Sequence, residues 1–212
     1  MAAAIPLRII EGRDAIRKNI LLALGIVPRA RWGLLTPKHQ NLEYDWNYHS
    51  IAIHHSGNKG YKNPKQIEDY HMRNNQFDDV GYHFMVSPEG NIFEGRNLLH
   101  KGSHVKASNT GRIGILVMGD FDEQWWDEDD ELTPKQLNST KKLIKTLKQH
   151  FNIRELGGHR EFLPGSGYTC PGNVLMNIIE QLRTEYGILA PQTAQGSSSN
   201  LTAHFTGRGT LS

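Results

Sequence analysis

The chain of 212 residues has a single cysteine, Cys170, so no intrachain disulfide can brace it. It also has no hydrophobic run near the ~18 residues that a membrane-spanning helix needs. Within residues 1–30, Ile20 to Val27 is too short an apolar stretch, and no small-residue cleavage pattern follows it, so a classical secretory signal is not expected. Strong charge of one sign is missing too: 24 Lys and Arg stand against 22 Asp and Glu, a net charge of +2. Without a dense basic stripe, the sequence carries no electrostatic footprint for nucleic acid. What remains is length enough for one domain with a real core.

Local patterns set out the elements. Residues 14–24 read as a short helix, with Asp14 as its cap, Ile16, Ile20, Leu21 and Leu24 as its apolar face, and Gly25 as its left-handed stop. Ser50-Ile-Ala-Ile-His54 has the branched apolar character of a buried strand. Asn63-Pro-Lys-Gln66 has the form of a capping box, with Pro64 at the first helical position. The helix it opens is expected to reach about Asn75, burying Ile67, Tyr70 and His71. Residues 81–96 alternate on both sides of the turn Ser87-Pro-Glu-Gly-Asn91 and read as a hairpin. Ile113 to Met118 is almost continuously apolar, as in a central strand. Thr133-Pro-Lys-Gln136 repeats the capping-box pattern before an amphipathic helix carrying Leu137, Thr140, Ile144, Leu147 and Phe151. A last helix starts near Gly172, turns Val174, Leu175, Ile178, Ile179 and Leu182 inward, and ends at Gly187. Beyond Pro191 the chain is rich in Gln, Ser, Gly and Thr, as in a flexible tail. Strands interleaved with helices, plus one hairpin, predict an α/β domain: a central mixed sheet flanked by helices. The acidic run from Asp122 to Glu131, with Trp125 and Trp126 inside it, reads as a solvated loop.

Three places bear chemistry. His54-His55-Ser56 ends the first strand, Gly158-His-Arg-Glu161 follows a short apolar stretch, and Cys170-Pro-Gly172 precedes the last helix. Two imidazoles and one thiolate suit Zn²⁺, whose catalytic sites use three protein ligands and keep a fourth position open. Eleven histidines offer many such triples, however, so spacing alone does not select the set.

The flanking residues do. Ile51-Ala-Ile-His-His-Ser56, Asp79-Val-Gly-Tyr-His-Phe84, Glu94-Gly-Arg96, Gly102-Ser-His-Val-Lys-Ala-Ser-Asn109, Ile113-Gly-Ile-Leu-Val-Met-Gly-Asp120, Gly158-His-Arg-Glu161 and Cys170-Pro-Gly172 occur in one order. Together they resemble the family shared by phage lysozyme-type N-acetylmuramoyl-L-alanine amidases and peptidoglycan recognition proteins. The likeness spans roughly residues 29–188, leaving 1–28 as an N-terminal helical extension and 189–212 as a tail. It implies a peptidoglycan recognition protein-like amidase fold and a zinc-dependent hydrolase, with peptidoglycan or muropeptides as its partner. It also implies His54, His159 and Cys170 as metal ligands, and Tyr82 as the catalytic tyrosine; His55 and His83 are then structural. In the family a Lys or Thr commonly stands two residues before the third ligand. Here that position is Tyr168, with Thr169 next, in a loop carrying Gly165 and Gly167, so either is a candidate to stabilise the oxyanion. His104, Asn109 and Arg96 match positions along the substrate groove; for Arg96 the competing expectation is an internal salt bridge with Glu94. The rival function is a recognition module that binds peptidoglycan without cutting it. With no signal peptide, the resemblance fits a phage endolysin released through membrane holes, a cytoplasmic recycling enzyme, or a secreted toxin, which would be paired with an immunity protein.

Overall fold

The computed structural model describes residues 5–58, 60–122 and 130–192. Trp125, Trp126 and most of the acidic run, together with residues 193–212 of the expected tail, lie outside the described residues. Five strands form one mixed sheet: β1 (Ser50–His55), β2 (Phe84–Val86), β3 (Ile92–Glu94), β4 (Arg112–Val117) and β5 (Glu155–Gly158). Their order is β3-β2-β4-β1-β5, with β4 in the centre, as its apolar run predicts. β1 runs parallel to both β4 and β5, β2 runs parallel to β4, and β2 pairs antiparallel with β3 as the expected hairpin.

Strand alternation divides the core. Ile51 and Ile53 of β1 and Ile113, Ile115 and Val117 of β4 join one large cluster with Leu143, Ile144, Leu147, Leu175, Ile179 and Leu182. Those six come from α4 (Pro134–His150) and α6 (Asn173–Tyr186). Leu116, Met85 and Met118 belong to a second cluster with Trp32, Ile67 and Val80. Leu143 is fully buried in the larger cluster. Leu143→Ala is therefore expected to cost about 2–5 kcal/mol, read from the urea midpoint at an unchanged slope.

The N-terminal helix α1 spans Leu7–Leu24, starting seven residues before the expected cap. Asp14 lies inside it and pairs with Arg17 and Lys18 one turn on, so its side chain serves the helix flank instead of its end. Gly25 takes the left-handed stop as expected. Within residues 5–28, Ile20, Leu21 and Ile26 belong to the large core cluster. Arg17 also grips the buried Glu94 of β3 through both carboxylate oxygens. After residues 25–28, Arg29–Trp32 form α2, and Arg29 pairs with Glu68, which is fully buried and also accepts the backbone N–H groups of Leu34 and Leu35.

Asn63 caps α3 (Pro64–Glu68) through the full capping box. The next turn, Asp69–Asn74, is π-helical. That widened turn shifts the helical phase, so His71 is buried while Tyr70, expected inside, is exposed. Thr133 caps α4 by accepting the Gln136 N–H. Gln136 does not close a capping box; its amide instead donates to the carbonyls of Val86 and Met118 from inside the core. α6 ends at Gly187 as expected. No described helix is long and apolar enough to cross a membrane.

Two buried histidines brace the sheet end. His71 Nδ1 accepts the Gly81 N–H at 2.9 Å, and His83 Nδ1 accepts the Gly114 N–H at 3.0 Å. Burial lowers their pKa values to about 4 and about 3. In the unfolded chain both protonate near pH 6.5, so between there and about pH 4 the unfolded state binds more protons than the native one. Stability should be flat above about pH 6.5 and fall as pH falls below it, by up to ~1.4 kcal/mol per pH unit for each histidine. Urea unfolding of the metal-free protein at pH 7.5, 5.5 and 4.5 checks this; equal stability at all three would refute it.

Candidate metal centre and active site

Register brings two histidines together. Ile53 of β1 pairs with Gly158 at the end of β5, and both strands run the same way. The next residue of each is a histidine, so His54 and His159 leave the sheet side by side at the carboxyl ends of parallel neighbours, where α/β sheets build their sites. Their rings stand 4.6 Å apart, with His159 opening α5 (His159–Phe162). Cys170 arrives from the loop before α6, its Sγ 3.7 Å from His54 Nδ1. One ligand atom from each of the three residues lies within 4.8 Å of the others.

The donor set fits zinc. Bonds of ~2.1 Å to nitrogen and ~2.3 Å to sulfur make tetrahedron edges of roughly 3.3–3.8 Å, and the Cys170–His54 distance falls in that interval. His159 Nε2 is buried with no hydrogen-bond partner. Burial pushes the Cys170 thiol up to about 12 and holds His159 down at about 4; His54 is driven well below its ordinary value by burial and by the other histidines. Those shifts describe neutral groups crowded together, a cost that a cation relieves by favouring thiolate and imidazole lone pairs.

His55 faces the other way. Its Nδ1 accepts the Phe121 N–H, and Asp120 and Asp122 stand at 3.7 and 3.9 Å from its two nitrogens. Tyr82 precedes β2 and sits beside the cluster, its ring 5.0 Å from that of His54. Burial, then the neighbouring Cys170, pushes its phenol pKa up, so it remains a hydrogen-bond donor. Tyr168 stacks on His159 at 4.9 Å with its other side in solvent. Thr169 Oγ1 donates to Asp122 Oδ2 at 2.6 Å and is engaged there.

A groove of about 330 Å³ reaches the cluster at His159 and is lined by Phe77, Ser103, His104, Lys106, Asn109, His159 and Tyr168. Phe77 lies outside the family stretches, and Lys106 lies inside the Gly102–Asn109 stretch with no role assigned to it from sequence. A second cavity of about 310 Å³ continues from it through Phe77, Ser103 and Asn109 to Arg96. Asn109 Oδ1 accepts the backbone N–H groups of His104 and Val105, holding the groove wall. Arg96 does not pair with Glu94. Its guanidinium donates to the carbonyls of Val80, Lys101 and Asp79, while Glu94 is taken by Arg17.

A family model described as N-acetylmuramoyl-L-alanine amidase matches residues 44–173. The endolysin of Escherichia phage T7 is 32% identical over 124 residues, covering 58% of this chain and 79% of the endolysin. Peptidoglycan-recognition protein 2 of Holotrichia diomphalia is 30% identical over 143 residues, 63% of this chain and 72% of that protein. Among solved structures, the N-acetylmuramoyl-L-alanine amidase LysC from Clostridium intestinale URNW superposes with a TM-score of 0.63 at 26% identity, covering 77% of this chain and 98% of LysC.

Proposed function

Since the chain belongs to the N-acetylmuramoyl-L-alanine amidase family, we propose that it is a zinc-dependent enzyme hydrolysing the amide between N-acetylmuramic acid and L-alanine in peptidoglycan. The observation that carries this reading is the gathering of His54, His159 and Cys170 donor atoms within 4.8 Å, with His159 lining a groove. The zinc supplies Lewis acidity, which polarises a carbonyl and makes water a competent nucleophile near neutral pH.

The protein's own groups do the rest. The groove holds the lactyl–alanyl amide over the cluster, with the Asn109 carboxamide and the Arg96 end of the adjoining cavity along the glycopeptide. As water attacks, the carbonyl carbon becomes tetrahedral and its oxygen gains negative charge. Tyr82, kept protonated by its surroundings, donates a hydrogen bond to that oxygen. Of the two candidates before Cys170, Tyr168 is the freer to assist, since the Thr169 hydroxyl is engaged by Asp122. When the C–N bond breaks, both protons of the attacking water end on the departing nitrogen, which leaves as an ammonium group, and the lactyl group is left as a carboxylate. Similarity to an endolysin supports the intact wall as substrate, reached after release from the cell that makes the enzyme.

The test is a mass-spectrometric map of products from purified sacculi incubated with the zinc-loaded protein. Free L-alanine amino termini and glycan strands bearing lactyl carboxylates are expected. Tight binding without release would instead establish a recognition module, and soluble muropeptides cut in preference to sacculi would establish a recycling enzyme.

A further inference from the structure

His104 lies against the first candidate ligand with both ring nitrogens occupied. Its Nε2 is 3.3 Å from the carbonyl oxygen of Arg112, and its Nδ1 is 3.0 Å from His54 Nε2. A carbonyl only accepts, so the ring proton of His104 sits on Nε2. In a neutral imidazole the other nitrogen is then an acceptor. The second bond therefore needs a proton on His54 Nε2, which leaves His54 Nδ1 with its lone pair free. That is the nitrogen 3.7 Å from Cys170 Sγ.

We propose that His104 is a positioning residue that fixes the tautomer and ring orientation of His54, so that Nδ1 is presented lone pair first to the zinc; this rests on the zinc reading above. The fold invests in holding the relay still. The backbone of His104 is tied down by the Asn109 carboxamide at 2.9 Å. Its ring lies in a slot between two glycines: a Cβ at Gly102 or at Gly114 would come within 2.4 or 2.5 Å of His104 Cδ2. The carbonyl at the far end belongs to Arg112, the first residue of the central strand, so the relay is anchored to the middle of the sheet. Partners of this kind, one bond behind a metal-binding histidine, typically change metal affinity 10–100-fold when lost.

Leucine and asparagine have nearly the same shape, but only asparagine offers an acceptor, Oδ1, close to the position of His104 Nδ1. His104→Leu should therefore weaken zinc affinity 10–100-fold, measured by competition with a chelating dye, while His104→Asn should stay close to the parent. Long-range ¹H–¹⁵N correlation on the metal-free parent chain should show His54 as a single tautomer protonated at Nε2. A proton on His54 Nδ1, unchanged zinc affinity in His104→Leu, or equal losses in both variants would each overturn the proposal. If the parent chain fails to bind zinc, the functional reading falls. The tautomer measurement, made without metal, still decides the relay.

Discussion

Replacing Cys170 with serine is expected to abolish zinc retention and amidase activity together. Sulfur at 3.7 Å from His54 Nδ1 is placed as one edge of a zinc tetrahedron. A serine oxygen at the same position would keep its proton near neutral pH and so bring neither negative charge nor a soft donor. Two neutral imidazoles then remain, too few for a closed hold on the ion. Turnover on sacculi should drop at least ~1,000-fold, the scale of the several kcal/mol that a Lewis acid contributes to such a transition state. Metal analysis should fall from about one zinc per chain to near none, in step with activity. The metal-free fold should survive, since the substitution removes little volume. A fully active, metal-free Cys170→Ser protein would sink the ligand assignment.

The second large effect is expected from Tyr82→Phe, with the opposite signature. The ring packs against His54 at 5.0 Å and His71 at 5.2 Å, and phenylalanine keeps both contacts. Only the hydroxyl disappears. If that hydroxyl meets the oxyanion, kcat should fall ~100–1,000-fold, as for loss of one oxyanion donor. KM, zinc content and melting temperature should barely move. A variant that turns over normally would reduce Tyr82 to packing; one that loses zinc would make it a support for the ligands. The two substitutions thus separate holding the metal from using it.

Much of this site was legible in the sequence because its pieces sit where elements start and stop. Alternation along Ser50–His55 says that His54 and His55 face opposite sides, but which one meets the metal depends on the register with β5, a pairing over a hundred residues away. The family resemblance supplied that choice. Helix ends read well where the signal was local, as at Asn63, Gly25 and Gly187. The readings failed where a distant group outbid a local one. Gln136 left its cap for the carbonyls of Val86 and Met118, Asp14 found Arg17 and Lys18, and Arg96 found three carbonyls instead of Glu94. The exposure of Tyr70 follows from a π-helical turn that 3.6-residue periodicity does not anticipate.

The grip of Arg17 on Glu94 bears on how this chain should be trimmed. The segment that matches the family model begins at residue 44, but the hydrophobic core already takes in Ile20 and Leu21 of α1. A minimal enzyme cut at the homology boundary would strand Glu94 and Glu68, both essentially fully buried, without Arg17 and Arg29. Orphaned charges of that kind cost about 3–5 kcal/mol each, enough to consume most of a domain's margin. Any fusion to this domain should therefore be spliced ahead of Pro6. Alignment marks what the family shares, whereas the buried arginines mark what this particular chain needs to stand.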